Sequence, residues 1–186
     1  SQVGWSQTKP DVVVFDDDDA AGPGYYDASV PGVTPPSLLT TFASPFGGKL
    51  AILDNEKFSG TQSGLLEWKS MPGGDWIFFI ASPGFQTRDL TGYSNLVMFV
   101  NGPASIPAAA LPRVGLESSS NQRSSMAGLA SFLPGGLDDD TNTWQRIKLP
   151  LSAFQPYGSF SLAQFKDVFF AQNVADGASG ARPSGE

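Results

Sequence analysis

The chain has 186 residues, 40% hydrophobic and 16% charged, so it can bury the core of one large domain. Its formal net charge of −7, with only 11 lysines and arginines, argues against a nucleic-acid binder, because phosphate contacts require cationic side chains. Histidine and cysteine are absent, which excludes disulfides, thiolate nucleophiles, Ser-His-Asp triads and the usual zinc ligands. Since no apolar run approaches the roughly 20 residues of a membrane span, we expect no membrane insertion.

Short apolar runs bounded by Gly, Pro, Asn and Asp predict β-strands along the whole chain, and helical periodicity is scarce. The first predicted strand covers residues 12–15 and ends at the acidic run 16–19. A loop rich in Gly and Pro follows over residues 20–36, and the run 38–42 is ambiguous. The later predicted strands, in chain order, are residues 49–53, 64–68, 76–81, 96–100, 113–117, 143–149 and 166–172, with a second long loop over residues 118–142.

Two of these runs alternate in polarity and therefore predict strands with one buried face. In the run 113–117, Val114 and Leu116 point to the same side. In the run 143–149, we expect Trp144 to pack in the core. About eight strands at short intervals leave no room for crossover helices. The predicted fold class is therefore all-β, an antiparallel β-sandwich of the jelly-roll type.

Four segments, in this order, resemble the galactose-binding-like jelly rolls found in carbohydrate-binding modules of secreted bacterial proteins. They are VVVFDD (12–17), DLTGYSNLVMFVNG (89–102), TWQRIKLPLSAF (143–154) and DVFFAQNVADG (167–177). The resemblance covers most of the chain and implies one β-sandwich domain over residues 1–186, with 1–10 and 176–186 peripheral or frayed. It also implies a non-catalytic module that binds a poly- or oligosaccharide, in a secreted or cell-surface bacterial protein that carries other domains.

The resemblance departs at the C-terminal end of the chain. Members of the family continue after the segment at 167–177 into a final strand, which this sequence lacks. We therefore expect an open sheet edge beside residues 167–172, or an edge covered by residues 1–10 or by a neighbouring chain.

The resemblance further implies a structural calcium ion near the acidic run 16–19, with Asp16 and Asp18 as ligands. Calcium takes six to eight oxygen ligands, so clustered carboxylates suit it. A strand sends alternate side chains to opposite faces, however, so the four aspartates cannot all share one ion. The alternative is that the run is simply a solvated strand end.

Aromatic side chains beside planar polar groups are the candidates for sugar contacts. The apolar face of a pyranose ring stacks on a flat aromatic ring, while its hydroxyl groups need polar partners. The alternative to sugar binding is that the tryptophans pack in the core and that the tyrosines only cover an edge of a sheet. The predicted ligand-binding residues are Tyr25, Tyr26, Trp68, Trp76, Asn121 and Arg123.

Two other functions stay open at this point. The first is a structural or adhesion module that binds no sugar. The second is a small glycan-active enzyme that depends on two carboxylates. Glu67 and Glu117 lie on predicted strands and could face the same side, which makes them the candidate pair for that enzyme.

Overall fold

The computed structural model describes residues 9–15, 32–40, 51–53, 55–81, 83–102, 104–140 and 143–173, which form an all-β fold. No helix within these ranges is long and apolar enough to cross a membrane. Between the strands lie single 3-10 turns. The strands are β1 Gly32–Thr34, β2 Leu38–Thr40, β3 Ala51–Leu53, β4 Ser63–Leu65, β5 Glu67–Lys69, β6 Asp75–Ala81, β7 Asn95–Val100, β8 Arg113–Ser118, β9 Ala127–Gly128, β10 Gln145–Pro150 and β11 Phe165–Ala171.

One antiparallel sheet of five strands, in the order β1-β6-β11-β8-β9, forms one layer of the sandwich. We call it the main sheet. The pairs β10-β7, β2-β5 and β3-β4 are also antiparallel, and the first two contribute side chains to the same core as the main sheet. The antiparallel β-sandwich predicted from the sequence is confirmed.

The hydrophobic core lies between the two layers and takes alternate residues from each strand. The main sheet contributes Val114, Leu116 and Val168, and β10 contributes Ile147 and Leu149 from the other side. On β10 these two alternate with the exposed residues Arg146, Lys148 and Pro150, as in a strand with one buried face. Burying an aliphatic side chain of this size contributes about 1.5–3 kcal/mol, so this alternation fixes which face of each strand turns inward.

Strand β11 occupies the middle of the main sheet. Val168 is paired with Ile80 of β6 on one side and with Leu116 of β8 on the other. The prediction of an exposed edge beside residues 167–172 is therefore wrong. The physical reason is that β6 and β8 already satisfy both rows of backbone hydrogen-bonding groups of β11.

The strand boundaries differ from the predicted ones in several places. The segment 11–15 forms no regular strand, although Val12 and Val14 pack against the core. The predicted strand 64–68 is divided between β4 and β5. The short strands β1 and β9 form inside stretches predicted as loops. Two- and three-residue strands carry too little periodicity to be recognised from sequence.

Trp144 is only partly buried, which corrects the expectation that it packs in the core. It precedes the first paired residue of β10, and its ring meets the exposed Phe58 edge-on at 6.3 Å between centroids. Phe58 in turn stacks on Phe99 of β7 at 3.6 Å. Phe99 is paired with the exposed Arg146, so these rings lie on the face of β7 and β10 that points away from the core.

Gly115 is a point of close packing on the outer face of the main sheet. The ring of its cross-strand partner Phe169 lies directly over it, so a methyl group at position 115 would overlap the ring. We expect Gly115→Ala to lower the free energy of unfolding by about 1–3 kcal/mol, the usual cost of overpacking. Thermal or urea unfolding measures this change.

Gly128→Ala is the matched control, since a Cβ at that position meets no atom within 4 Å. A Gly115→Ala protein as stable as the Gly128→Ala protein would contradict the close packing of Phe169 on Gly115.

Candidate functional site

A pocket of about 510 Å³ opens on the outer face of the main sheet, away from the core. We call it the outer pocket. Its floor is formed by β6, β8 and β11, and its rim by the hairpin after β8 and the turn after β6. The lining residues combine two aromatic rings with charged and polar groups: Phe79, Phe85, Glu117, Ser119, Asn121, Arg123, Lys166 and Asp167.

The hairpin after β8 brings Arg123 opposite Glu117. The chain turns tightly here, with the Ser118 N–H donating to the Gln122 carbonyl at 2.9 Å and the Asn121 N–H donating to the Ser118 carbonyl at 2.9 Å. Asn121 takes a left-handed backbone with φ 58, which asparagine tolerates better than most residues. Glu117 and Arg123 then form a cross-strand pair, so their side chains share the outer face.

Glu117 is buried between two cations. Its Oε2 accepts from Arg123 Nε at 2.7 Å, and its Oε1 accepts from Lys166 Nζ at 2.7 Å. Lys166 Nζ also donates to Asn121 Oδ1 at 2.6 Å. Since both oxygens of the carboxylate have charged partners, the burial of Glu117 is compensated. We call Glu117, Arg123 and Lys166 the ion-pair cluster.

A β-bulge brings two successive residues of β11 to the same pocket. The pairing of β11 with β8 shifts between Phe165 and Asp167, so Lys166 is the extra residue. In a regular strand Lys166 and Asp167 would point to opposite faces. The bulge re-aims the lysine, and both side chains line the outer pocket.

Asp167 is the buried acid of the pocket, with 1% of its surface exposed. Its Oδ2 lies 3.6 Å from Lys166 Nζ, and its Oδ1 has no hydrogen-bond partner among the described residues. Burial and, to a smaller extent, the neighbouring Glu117 carboxylate raise the pKa of Asp167 to about 7, against the opposing effects of Lys166 and Arg123. This carboxyl group therefore changes its charge near neutral pH.

Aromatic rings support the cations of the pocket. The Arg123 guanidinium lies 5.0 Å from the ring centroid of Phe79 and 5.4 Å from that of Phe169, within the range of cation–π attraction. Lys166 Nζ lies 5.7 Å from the ring centroid of Phe85. Phe85 is 40% exposed and has a left-handed backbone with φ 53, which is rare for a bulky residue. It offers an apolar ring to a molecule in the pocket.

Two of the predicted ligand-binding residues, Asn121 and Arg123, lie together in the outer pocket. Trp68 and Trp76 lie in the hydrophobic core instead, 7% and 1% exposed, which corrects the expectation that they line a groove. Trp76 is on the core-facing side of β6, and its indole N–H donates to Ser70 Oγ at 3.1 Å. Tyr25 and Tyr26 lie outside the described residues.

The residues that the sequence did not point to are Lys166, Asp167, Phe79 and Phe85. Of the candidate acid pair, Glu117 does lie in the pocket, but Glu67 lies on β5, outside the main sheet. The acid beside Glu117 is Asp167, its direct partner on β11. The sequence feature that could have pointed to Lys166 and Asp167 is their position as two adjacent charged residues at the start of the β-prone run 166–172.

A second cavity of about 550 Å³ is lined both by core side chains and by exposed ones, which include Val13, Phe58 and Val97. Its walls include core side chains such as Leu116, Phe165 and Val168, all nearly inaccessible to solvent. None of the predicted ligand-binding residues within the described ranges lines this cavity, whereas two of them line the outer pocket.

The predicted calcium ligands Asp16 and Asp18 lie outside the described residues. Within the described ranges, no group of three or more acidic, histidine or cysteine side chains is arranged to hold a metal ion. The calcium site therefore stays a prediction.

The raised pKa of Asp167 predicts a pH-dependent stability. Folding favours the protonated form, so the stabilisation is complete below the unfolded value of 3.8 and is lost as the pH rises through about 7. Asp167→Asn has the same shape and cannot ionise. We expect the melting temperature of this variant, relative to the parent, to rise between about pH 5 and about pH 8.5. A constant difference across that range would show that Asp167 titrates normally.

Comparisons with known proteins identify the fold. No protein-family model and no curated protein matches the chain. Among solved structures, it is similar to a beta-1,2-glucanase from Parabacteroides distasonis, with 22% identity and a TM-score of 0.66 over 91% of this chain, which spans only 24% of the glucanase. It is also similar to a family 30 carbohydrate-binding module of a cellulosomal cellulase from Clostridium thermocellum, with 17% identity, a TM-score of 0.56 and 89% of each chain covered.

A further structure of a family 30 carbohydrate-binding module matches with 17% identity and a TM-score of 0.55, covering 89% of this chain and 90% of the module. The similarity therefore extends over nearly the whole of both chains, and the resemblance read from the sequence is confirmed for the fold. The chain has the jelly-roll β-sandwich fold of carbohydrate-binding modules.

Proposed function

We propose that the outer pocket binds a glycan and that the chain is a non-catalytic carbohydrate-binding module of a secreted or cell-surface bacterial protein. The observation that carries this proposal is the pocket itself, in which the exposed Phe85 ring stands beside polar groups of fixed orientation. Sugars need this combination, because each ring has an apolar face and a border of hydroxyl groups.

The polar groups of the pocket are held in place before any ligand arrives. Arg123 donates to Glu117 through Nε, and its side chain is 49% exposed, so its Nη donors are within reach of a ligand. The ion pair with Glu117 and the ring of Phe79 fix the guanidinium plane. Preorganisation of this kind reduces the entropy lost on binding.

The similar structures support a binding role on the same fold. Family 30 carbohydrate-binding modules match the chain over almost their full length. The glucanase is about four times longer than the matched part, since the chain spans 24% of it. A module joined to other domains in a larger glycan-active protein agrees with both matches.

The arrangement of the acids favours binding over hydrolysis, although a raised pKa beside a second carboxyl is a common feature of glycosidases. Glu117 and Asp167 are direct neighbours on adjacent strands, on one floor of the pocket. Glycoside hydrolysis requires carboxyl groups on either side of the scissile bond. Glu117 is also engaged by two cations. The proposal is therefore a module without catalytic activity.

Removal of single groups from the rim tests the proposal. We expect Phe85→Ala and Arg123→Ala each to weaken binding roughly five- to tenfold, since one stacking or guanidinium contact is worth on the order of 1 kcal/mol. The measurement is isothermal titration with cellohexaose, β-1,2-glucohexaose, xylohexaose and mannohexaose, together with a glycan array. Lys148→Ala is the control, because Lys148 is exposed on β10, outside the main sheet.

The outcomes separate the three functions. Binding that the rim variants weaken and Lys148→Ala leaves intact supports the module. No binding to any glycan would favour the structural or adhesion function, and release of reducing ends from a bound glycan would favour the enzyme.

A structural calcium ion at Asp16 and Asp18 is a separate proposal, supported by the acidic run in the sequence. A ligand that binds only the folded state at a hundred times its dissociation constant adds roughly 2.7 kcal/mol. We therefore expect the melting temperature to be higher in millimolar calcium than in EDTA, and Asp16→Asn with Asp18→Asn to remove the difference. Equal melting temperatures for the parent protein would argue against the ion.

A further inference from the structure

We propose that Asp167 determines which glycans the outer pocket accepts: its Oδ1 accepts a hydrogen bond from a sugar hydroxyl, and its carboxyl group disfavours sugars that carry a negative charge. This inference rests on the proposed function of the pocket. Beyond that function, it assigns a residue on the floor of the outer pocket that determines ligand specificity.

The first observation is the unpaired oxygen. Asp167 lines the pocket and is 1% exposed, yet its Oδ1 has no hydrogen-bond partner within the described ranges. Buried acceptors are rarely left unpaired, because desolvation without a new bond is unfavourable. A donor supplied by a molecule in the pocket would satisfy this oxygen.

The second observation is that the neighbouring polar groups are already engaged. Both oxygens of Glu117 accept from cations, and Lys166 donates to Glu117 and Asn121. An acceptor on Asp167 and the Nη donors of the half-exposed Arg123 side chain therefore remain for a ligand. A hydroxyl group both donates and accepts, so a hydroxyl-bearing sugar can meet both requirements.

The third observation is the charge balance. The pocket contains two carboxyl groups, Glu117 and Asp167, and two cations, Arg123 and Lys166, so with both acids ionised the formal charges cancel. A sugar carboxylate could accept from Arg123 but has no proton for Asp167, and it would lie near two acids. The net charge of −7 on the whole chain adds a repulsion for polyanionic glycans.

The charged form of Asp167 makes the stronger bond, because a carboxylate accepts better than a protonated acid. The groups that face it are Glu117 of β8, Arg123 after the hairpin and Lys166 of its own strand, while its partner on β6 is Ala81. Its pKa is raised to about 7, so the ionised fraction grows between pH 6 and pH 8. If that form alone binds, affinity for a neutral glycan rises up to about tenfold over this range.

The experiment is isothermal titration at pH 6 and pH 8 with the four neutral hexasaccharides named above and with hexagalacturonate. We expect the parent protein to bind at least one neutral hexasaccharide, more tightly at pH 8, and to bind hexagalacturonate at least tenfold more weakly. Asp167→Ala should lose at least fivefold of the neutral affinity at pH 8. Asp167→Asn, which keeps the shape, should bind equally at both pH values, and Lys148→Ala should behave as the parent.

Each outcome supports or overturns the inference. Binding that Arg123→Ala weakens but both Asp167 variants leave unchanged, with the same pH profile, overturns the role of Asp167 and keeps the glycan-binding function. Equal or tighter binding of hexagalacturonate by the parent overturns it as well. If no hexasaccharide binds to the parent, both the inference and the function beneath it fail.

Discussion

The burial of Glu117 is the constraint on which the outer pocket depends. A carboxylate with 4% of its surface exposed requires compensation, since breaking a buried pair by removing one partner typically costs about 3–5 kcal/mol. Two independent backbone features bring the two cations to it. A tight hairpin places Arg123 across the strand pair, and a β-bulge turns Lys166 to the same face. The shape of the pocket therefore follows from the need to neutralise one acid.

The two faces of the main sheet have different chemistry because side chains alternate along each strand. Leu116 and Val168 point inward to the core, while their neighbours Glu117 and Asp167 point to the pocket. The same backbone hydrogen bonds hold both sets of side chains. The rigidity that the core gives to β8 and β11 is thus passed directly to the floor of the pocket, where orientation matters for recognition.

The features of the fold and the site that depend on short stretches of the chain could be predicted from local sequence patterns. The alternation in β10 predicted a strand with one buried face, and the four family-like segments predicted the jelly-roll fold. The expectation that Trp144 packs in the core pointed to the wrong face, because the buried residues are Ile147 and Leu149. The polar stretch after β8 pointed to Asn121 and Arg123, because polar loop residues beside a strand are natural ligand contacts.

The rest depends on long-range pairing that the sequence does not display. The run at 76–81 is apolar on both sides, so its pattern cannot say that Trp76 faces inward. The bulge at Lys166 breaks the period of two, so strict alternation would have sent this side chain away from Asp167. The central position of β11 follows from strands that are distant in the chain, which no local rule reveals.

The division of the outer pocket between sheet and hairpin has a consequence for how such a domain diversifies. Ser119, Ser120 and Gln122 in the hairpin are exposed and are not part of the hydrophobic core. Substitutions there can accumulate at little cost in folding stability, whereas changes at Glu117 or Asp167 disturb the interior of a sheet. Of these three, only Ser119 lines the outer pocket, so related chains can acquire new ligand preferences through this hairpin position, and a designer seeking altered binding should randomise it first.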